Sequence, residues 1–144
     1  MGKLIAMSKA RDIMQKNVIT IELEKTAQHA STILKDRDIS FLVVVKDSKP
    51  IGIVSERDIV RKVVAENKES SQIQLESIMS KKFKGVEPNA SIESAVQKML
   101  NNNIRRLVVL ENEKLVGVIT QTDLTEFLRS KILINSTIEN IEAN

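Results

Sequence analysis

Two stretches of this 144-residue chain repeat each other, and that repeat limits the folds open to it. Gly52-Ile53-Val54-Ser55-Glu56-Arg57-Asp58 returns as Gly117-Val118-Ile119-Thr120-Gln121-Thr122-Asp123, so glycine, hydroxyl and carboxylate recur at one offset (117 − 52 = 123 − 58 = 65). The offset holds well outside the motif. Ile13-Met14 corresponds to Ile78-Met79, Ile21-Glu22 to Val86-Glu87, Ala30 to Ala95 and Ile39 to Ile104. Leu42-Val43-Val44 corresponds to Leu107-Val108-Val109, and Lys49 to Lys114. Each copy offers a small sheet with helices on one side, too little to bury its own apolar surface. The expectation is an α/β (α+β) chain of two β-α-β-β-α repeats packed sheet to sheet about a pseudo-twofold axis, with two equivalent clefts.

Taken in order, residues 1–8 read as a leader, 9–67 as the first repeat, 68–74 as a polar linker, 75–134 as the second repeat and 135–144 as a polar tail that frays. Ala10 to Met14 is a short helix and Val18–Ile21 a short strand. Thr26 is placed to cap a helix from Ala27 to about Arg37 with Ala27, Ala30, Ile33 and Leu34 on one face. Phe41–Val45 is a strand apolar on both faces. It turns at Lys46–Pro50 and returns as Ile51–Val54. A helix from Glu56 to about Asn67 follows, with Ile59, Val60, Val63 and Val64 inward. The second copy repeats this with a strand near Gly85-Val86 and a helix from Ile92 to about Asn102 capped by Ser91. A hairpin of Arg106–Leu110 with Val116–Ile119 and a helix from Gln121 to about Leu133 complete it.

Composition narrows the function. The chain carries three Phe and no Trp or Tyr, which removes the stacking aromatics that single-strand nucleic-acid binders use. With no cysteine there is neither a disulfide framework nor thiolate chemistry. No signal peptide and no membrane-length apolar run is evident, so a cytoplasmic protein is expected. The net charge of +3 balances 22 basic against 19 acidic residues with the signs interspersed, which disfavours a nucleic-acid stripe.

In each repeated motif a buried strand turns sharply into a helix. The plainer reading makes Ser55 and Thr120 N-caps and Asp58 and Asp123 the carboxylates that answer them in a capping box. The functional reading uses the same helix start, whose free N–H groups and hydroxyl attract a phosphate while the aspartate accepts from a ribose diol. On its own, a Ser/Thr-x-x-Asp spacing favours the first reading; two in register after equivalent strands give weight to the second.

Over residues 11–131 the chain resembles a tandem pair of CBS domains (a Bateman module), on the duplicated element order and the Gly-apolar-apolar-Ser/Thr-x-x-Asp motif after each Leu-Val-Val strand. The resemblance implies binding of adenosine-containing ligands (AMP, ADP, ATP or S-adenosylmethionine) in clefts between the copies. It also implies a sensor of such ligands, often as a homodimer of pairs; output to a separate effector protein is expected beside it, and no membrane partner, for want of an apolar span. Carried over by position, the first site comprises Ser55, Arg57 and Asp58 with Lys84, Gly85, Val86, Ile104 and Arg105. The second comprises Thr120 and Asp123 with Ile19, Thr20, Ile21, Ile39 and Ser40. The first is the better furnished for phosphates, since Arg57 and Lys84 stand there, while the second motif has Gln121 and Thr122, and Phe41 takes the place of Arg106.

The remaining candidates read as structural. His29 lies on an exposed helix face without the second ligand that a metal site needs. Met14 and Met79, at equivalent positions, are core packing. Asn101-Asn102-Asn103 ends a helix, Glu22 and Glu87 are turn or solvent residues, and Arg61-Lys62 is a solvated pair. No nucleophile–base set accompanies them, so no enzyme is expected. The alternatives are a structural dimerisation module with empty clefts and, more remotely, a basic nucleic-acid binder.

Overall fold

A computed structural model describes residues 7–143; residues 1–6 of the expected leader and Asn144 of the expected tail lie outside the described residues. The elements are α1 (Ala10–Ile13), β1 (Thr20–Glu22), α2 (Ala27–Arg37), β2 (Phe41–Lys46), β3 (Lys49–Ser55) and α3 (Glu56–Ile59), which runs into a π turn at Val60–Val64. Two 3-10 turns, Ser70–Gln72 and Leu75–Ser77, lead to β4 (Lys84–Val86), α4 (Ile92–Asn102), β5 (Arg106–Glu111), β6 (Lys114–Thr120) and α5 (Gln121–Ala143). They form two mixed three-stranded sheets, β1-β2-β3 and β4-β5-β6, each with a parallel first pair and an antiparallel second pair.

The repeat survives down to its irregularities. Val44 faces Gly52 and Val45 faces Pro50, so one residue bulges; Val109 faces Gly117 and Leu110 faces Leu115 in the same way. Both hairpins close on two residues with positive φ, Asp47-Ser48 and Asn112-Glu113, whose backbone twist suits the flanking strands. Leu42 to Val45 and Leu107 to Val109 are buried, as a strand covered on both faces requires.

The chain divides into two compact units whose boundaries differ from those of the repeats. One is Asn17–Phe83; the other joins Met1–Lys16 to Lys84–Asn144. The segment leading into each copy packs on the opposite copy's sheet. In the second unit Lys9 bridges Ser91, Gln15 bridges Val118, and Ala10 N–H donates to the Ala90 carbonyl at 2.8 Å. In the Asn17–Phe83 unit Thr26 bridges Gln74 and Ser80 bridges Ile53, at the same offset. Of the stretch taken as a linker, Ile73 accepts the Ala27 N–H; just beyond it, at the start of the second repeat, Leu75, Ile78 and Met79 are buried in the core with Leu42, Val44, Val54 and Val63. Met14 and Met79 lie against the two motif glycines, where a Cβ at Gly117 or Gly52 would stand 2.6 Å from the methionine sulfur.

Three expectations need correction. The helix after Ser55 is regular only to Ile59. The i→i+5 bonds from Ala65 N–H to Val60 and from Lys68 N–H to Val63 then widen the turn. That leaves Val63 buried but swings Val60 and Val64 out to 56% and 66% exposure. The expected fraying tail is helical through Ala143, because isoleucines at 134, 138 and 141 keep helical spacing and no glycine or proline interrupts them. His29 is more than a solvated residue: its Nδ1 lies 2.8 Å from Thr26 Oγ1 and it closes the capping box that starts α2.

Candidate functional site

At the end of β3 the backbone turns extended at Ser55 (φ −124°) and enters α3. Ser55 N–H donates to Asp58 Oδ2 at 2.9 Å, the Ser55 hydroxyl donates to the same oxygen at 3.0 Å, and Asp58 N–H donates back to Ser55 Oγ at 3.3 Å. The capping box drawn from sequence is formed. Lys62, one turn on, completes the constellation with Nζ 3.0 Å from Asp58 Oδ1 and donates to the Ile78 carbonyl at 2.8 Å. Arg61 and Lys62 are both exposed, but the Lys62 ammonium also ties the helix start to the segment leaving the unit. The Asp58 side chain retains 16% of its exposure, and three of its roughly four acceptor positions are taken.

The second turn is built alike and furnished differently. Thr120 N–H donates to Asp123 Oδ2 at 2.8 Å and Asp123 N–H donates to Thr120 Oγ1 at 3.1 Å. Phe127 stands where the first copy has Lys62, so no cation reaches the carboxylate from one turn along the helix. The Gln15 amide approaches both Asp123 oxygens instead, at 3.0 and 3.1 Å. One carboxylate is held by a cation from its own helix, the other by a neutral amide from the chain's lead segment.

The other expected site residues fall within these units as follows. With the Ser55 turn and exposed Arg57, the Asn17–Phe83 unit contains half-buried Ile19, exposed Thr20, buried Ile21, half-buried Ile39 and exposed Ser40. Ser40 lies at the turn itself, its carbonyl accepting the Glu56 N–H at 2.9 Å. With the Thr120 turn, the second unit contains exposed Lys84, half-buried Gly85, buried Val86, half-buried Ile104 and exposed Arg105. Arg105 accepts the Gln121 N–H at 2.9 Å, and beside it a groove of about 380 Å³ runs between α4 and α5. The Gly85 carbonyl accepts from Lys98 Nζ at 2.7 Å. Sequence reasoning missed Lys62, Lys98 and Gln15. Only Lys62 left a signal, the i,i+4 spacing of opposite charges.

Two copies of a β-α-β-β-α unit, each presenting a hydroxyl-and-carboxylate turn at the end of its last strand, define a duplicated α+β module. The family model for the CBS domain matches residues 10–65 and again 75–130, and the chain belongs to the CBS domain family as a tandem pair, a class of regulatory modules. CBS domain-containing protein YhcV of Bacillus subtilis is 30% identical over 94% of this chain and 96% of its own length. Among solved structures, the CBS domain pair of protein MJ0100 in complex with 5′-methylthioadenosine and S-adenosyl-L-methionine is similar with a TM-score of 0.76. It is 26% identical, over 86% of this chain and 98% of that one. Hypoxic Response Protein I with two coordinated zinc ions gives a TM-score of 0.72 at 27% identity, over 83% and 98%. Among the described residues here, no group of three or more His, Cys, Asp or Glu could hold a metal ion. No described helix is long and apolar enough to cross a membrane.

Proposed function

We propose that this chain is a non-catalytic regulatory module that binds an adenosyl ligand (AMP, ADP, ATP or an S-adenosylmethionine-like compound) at its two strand-to-helix turns. The occupied state is read by a separate effector or through homodimerisation. The observation that carries the reading is the matched placement of the Asp58 and Asp123 carboxylates, each fixed by its own cap at the end of a buried strand. Such a carboxylate is held in place to accept from a ribose diol, one hydroxyl at its remaining acceptor position and the other in place of Lys62 or Gln15. The adenosyl ligands of the MJ0100 pair add support by similarity. The residue groupings carried over from the resemblance, Ser55, Arg57 and Asp58 with Lys84, Gly85, Val86, Ile104 and Arg105, and Thr120 and Asp123 with Ile19, Thr20, Ile21, Ile39 and Ser40, belong to this proposal.

The two turns differ in charge. Arg57 and Lys62 accompany Asp58, whereas Thr122 and Phe127 stand at the corresponding positions around Asp123. The first turn therefore suits a phosphorylated nucleotide and the second a nucleoside or a cationic sulfonium. A scaffold role is favoured by one observation only: both carboxylates are already hydrogen-bonded within their units. Titration calorimetry with AMP, ADP, ATP and S-adenosylmethionine on the parent chain, Asp58→Ala and Asp123→Ala decides between them. The sensor reading requires Asp58→Ala to abolish nucleotide binding while Asp123→Ala spares it. No heat from any of the four ligands leaves the scaffold role, and equal losses in both variants remove the asymmetry.

A further inference from the structure

The Asp58 carboxylate is already engaged on both oxygens. Its Oδ2 accepts the Ser55 N–H at 2.9 Å and the Ser55 hydroxyl at 3.0 Å, and its Oδ1 lies 3.0 Å from Lys62 Nζ. Of roughly four acceptor positions one is left, and a vicinal diol presents two hydroxyls. One present partner must therefore give way. The Ser55 bonds are set by the backbone and start the helix, so losing them would undo the cap. Lys62 is the partner that can leave, because its side chain is 46% exposed and an ammonium on a flexible four-carbon stem is readily rehydrated.

The lysine's place is nevertheless defined. It lies inside the π turn at Val60–Val64, a feature that recurs at functional sites, and it also donates to the Ile78 carbonyl at 2.8 Å. Two acceptors from two segments thus hold the ammonium over the carboxylate. The repeat supplies an internal control. Phe127 stands at the position of Lys62 in the second copy, and both Asp123 oxygens face the neutral Gln15 amide instead. The cap is common to both turns; a cation on the carboxylate from one turn along the helix is particular to the first.

We infer that Lys62 is a built-in competitor at this turn: its ammonium holds the acceptor that a ligand's diol needs, and a ligand binds by displacing it. The inference rests on the adenosyl reading of the turn and adds a rule of selection to it. A neutral nucleoside breaks the ion pair and gives the ammonium no new partner, whereas a nucleotide brings a phosphate that can take it. The contact therefore suppresses nucleoside binding more than nucleotide binding, although both ligands carry the same diol.

The first turn is read alone by titration calorimetry with adenosine and AMP on the Asp123→Ala chain, with Lys62 retained or changed to Met or Arg. Lys62→Met is expected to tighten adenosine roughly twofold to fivefold, the range that a solvent-screened pair spans, and to leave AMP no tighter. Lys62→Arg keeps the cation and is expected to keep the preference for AMP over adenosine. Raising sodium chloride from about 50 to about 500 mM screens the pair, so adenosine should bind more tightly at high salt when Lys62 is present and show no such gain in Lys62→Met. Adenosine bound equally or more weakly by Lys62→Met, an equal gain for AMP, an equal salt response in both chains, or loss of the preference in Lys62→Arg would each overturn the inference while leaving the sensor reading in place. No heat from either ligand in any of these chains would remove the sensor reading of this turn and the inference with it.

Discussion

Asp58 and Asp123 occupy one position of the repeat yet answer to different partners, and the difference is measurable in stability as well as binding. Each accepts a backbone N–H at its helix start, so removing either carboxylate should cost about 1 kcal/mol, the usual value of an N-terminal cap. Asp58 also holds Lys62, a pair with the lysine 46% and the aspartate 16% exposed. Solvent screening limits that pair to a few tenths of a kcal/mol, up to about 1. Lys62 gives its other bond to the Ile78 carbonyl, so Lys62→Met, which keeps the stem and loses the charge, should destabilise by roughly 1 kcal/mol in urea unfolding. The parallel change at Gln15, Gln15→Ala, should cost less, because a neutral amide on an exposed site is replaced by water. A larger loss at Gln15 than at Lys62 would show that the two holding residues have been ranked in the wrong order.

At the level of elements, the two motif glycines show why the repeat is so regular. Neither has positive φ; both are glycine because the lead segment of the opposite copy crosses directly above them. Gly52→Ala sets a Cβ 2.6 Å from Met79 Sδ and 3.1 Å from the Ser80 carbonyl, and Gly117→Ala meets Met14 and Gln15 in the same way. Each change should cost about 1–3 kcal/mol, as overpacking does. Shortening Met79 to Ala in the Gly52→Ala background should recover part of that cost, a coupling that a double-mutant cycle in thermal unfolding would register. What was legible in the sequence follows the same division. Strands, caps and hairpins rest on local patterns, so Phe41–Lys46, the Ser55 and Thr120 boxes and the Ser91 cap lie within a residue or so of where the sequence puts them. The π turn at Val60–Val64, the helical end of α5 and the Gln15–Asp123 contact were hidden. The first depends on where one apolar residue packs, the second on apolar spacing masked by polar neighbours, and the third on a partner 108 residues away.

For the molecule as a whole, the consequence lies in where a fold boundary falls. By sequence the first repeat ends near residue 67, but the unit built around it runs from Asn17 to Phe83 and takes its closing layer from the start of the second. Leu75, Ile78 and Met79 are 0%, 2% and 8% exposed there, beneath Leu42, Val54 and Val63. Burying each such side chain contributes roughly 1.5–3 kcal/mol, so together they supply on the order of 5 kcal/mol, comparable to the whole stability of a small domain. A fragment spanning 9–67 lacks all three and retains Ala10 and Met14, whose packing partners lie in the other unit. A fragment spanning 17–83 keeps every residue of that buried cluster. Expressed separately, the 17–83 fragment should unfold cooperatively in circular dichroism, and the 9–67 fragment should show little cooperativity at the same temperature. Equal cooperativity in the two fragments would mean that the crossing segment contributes little to the fold.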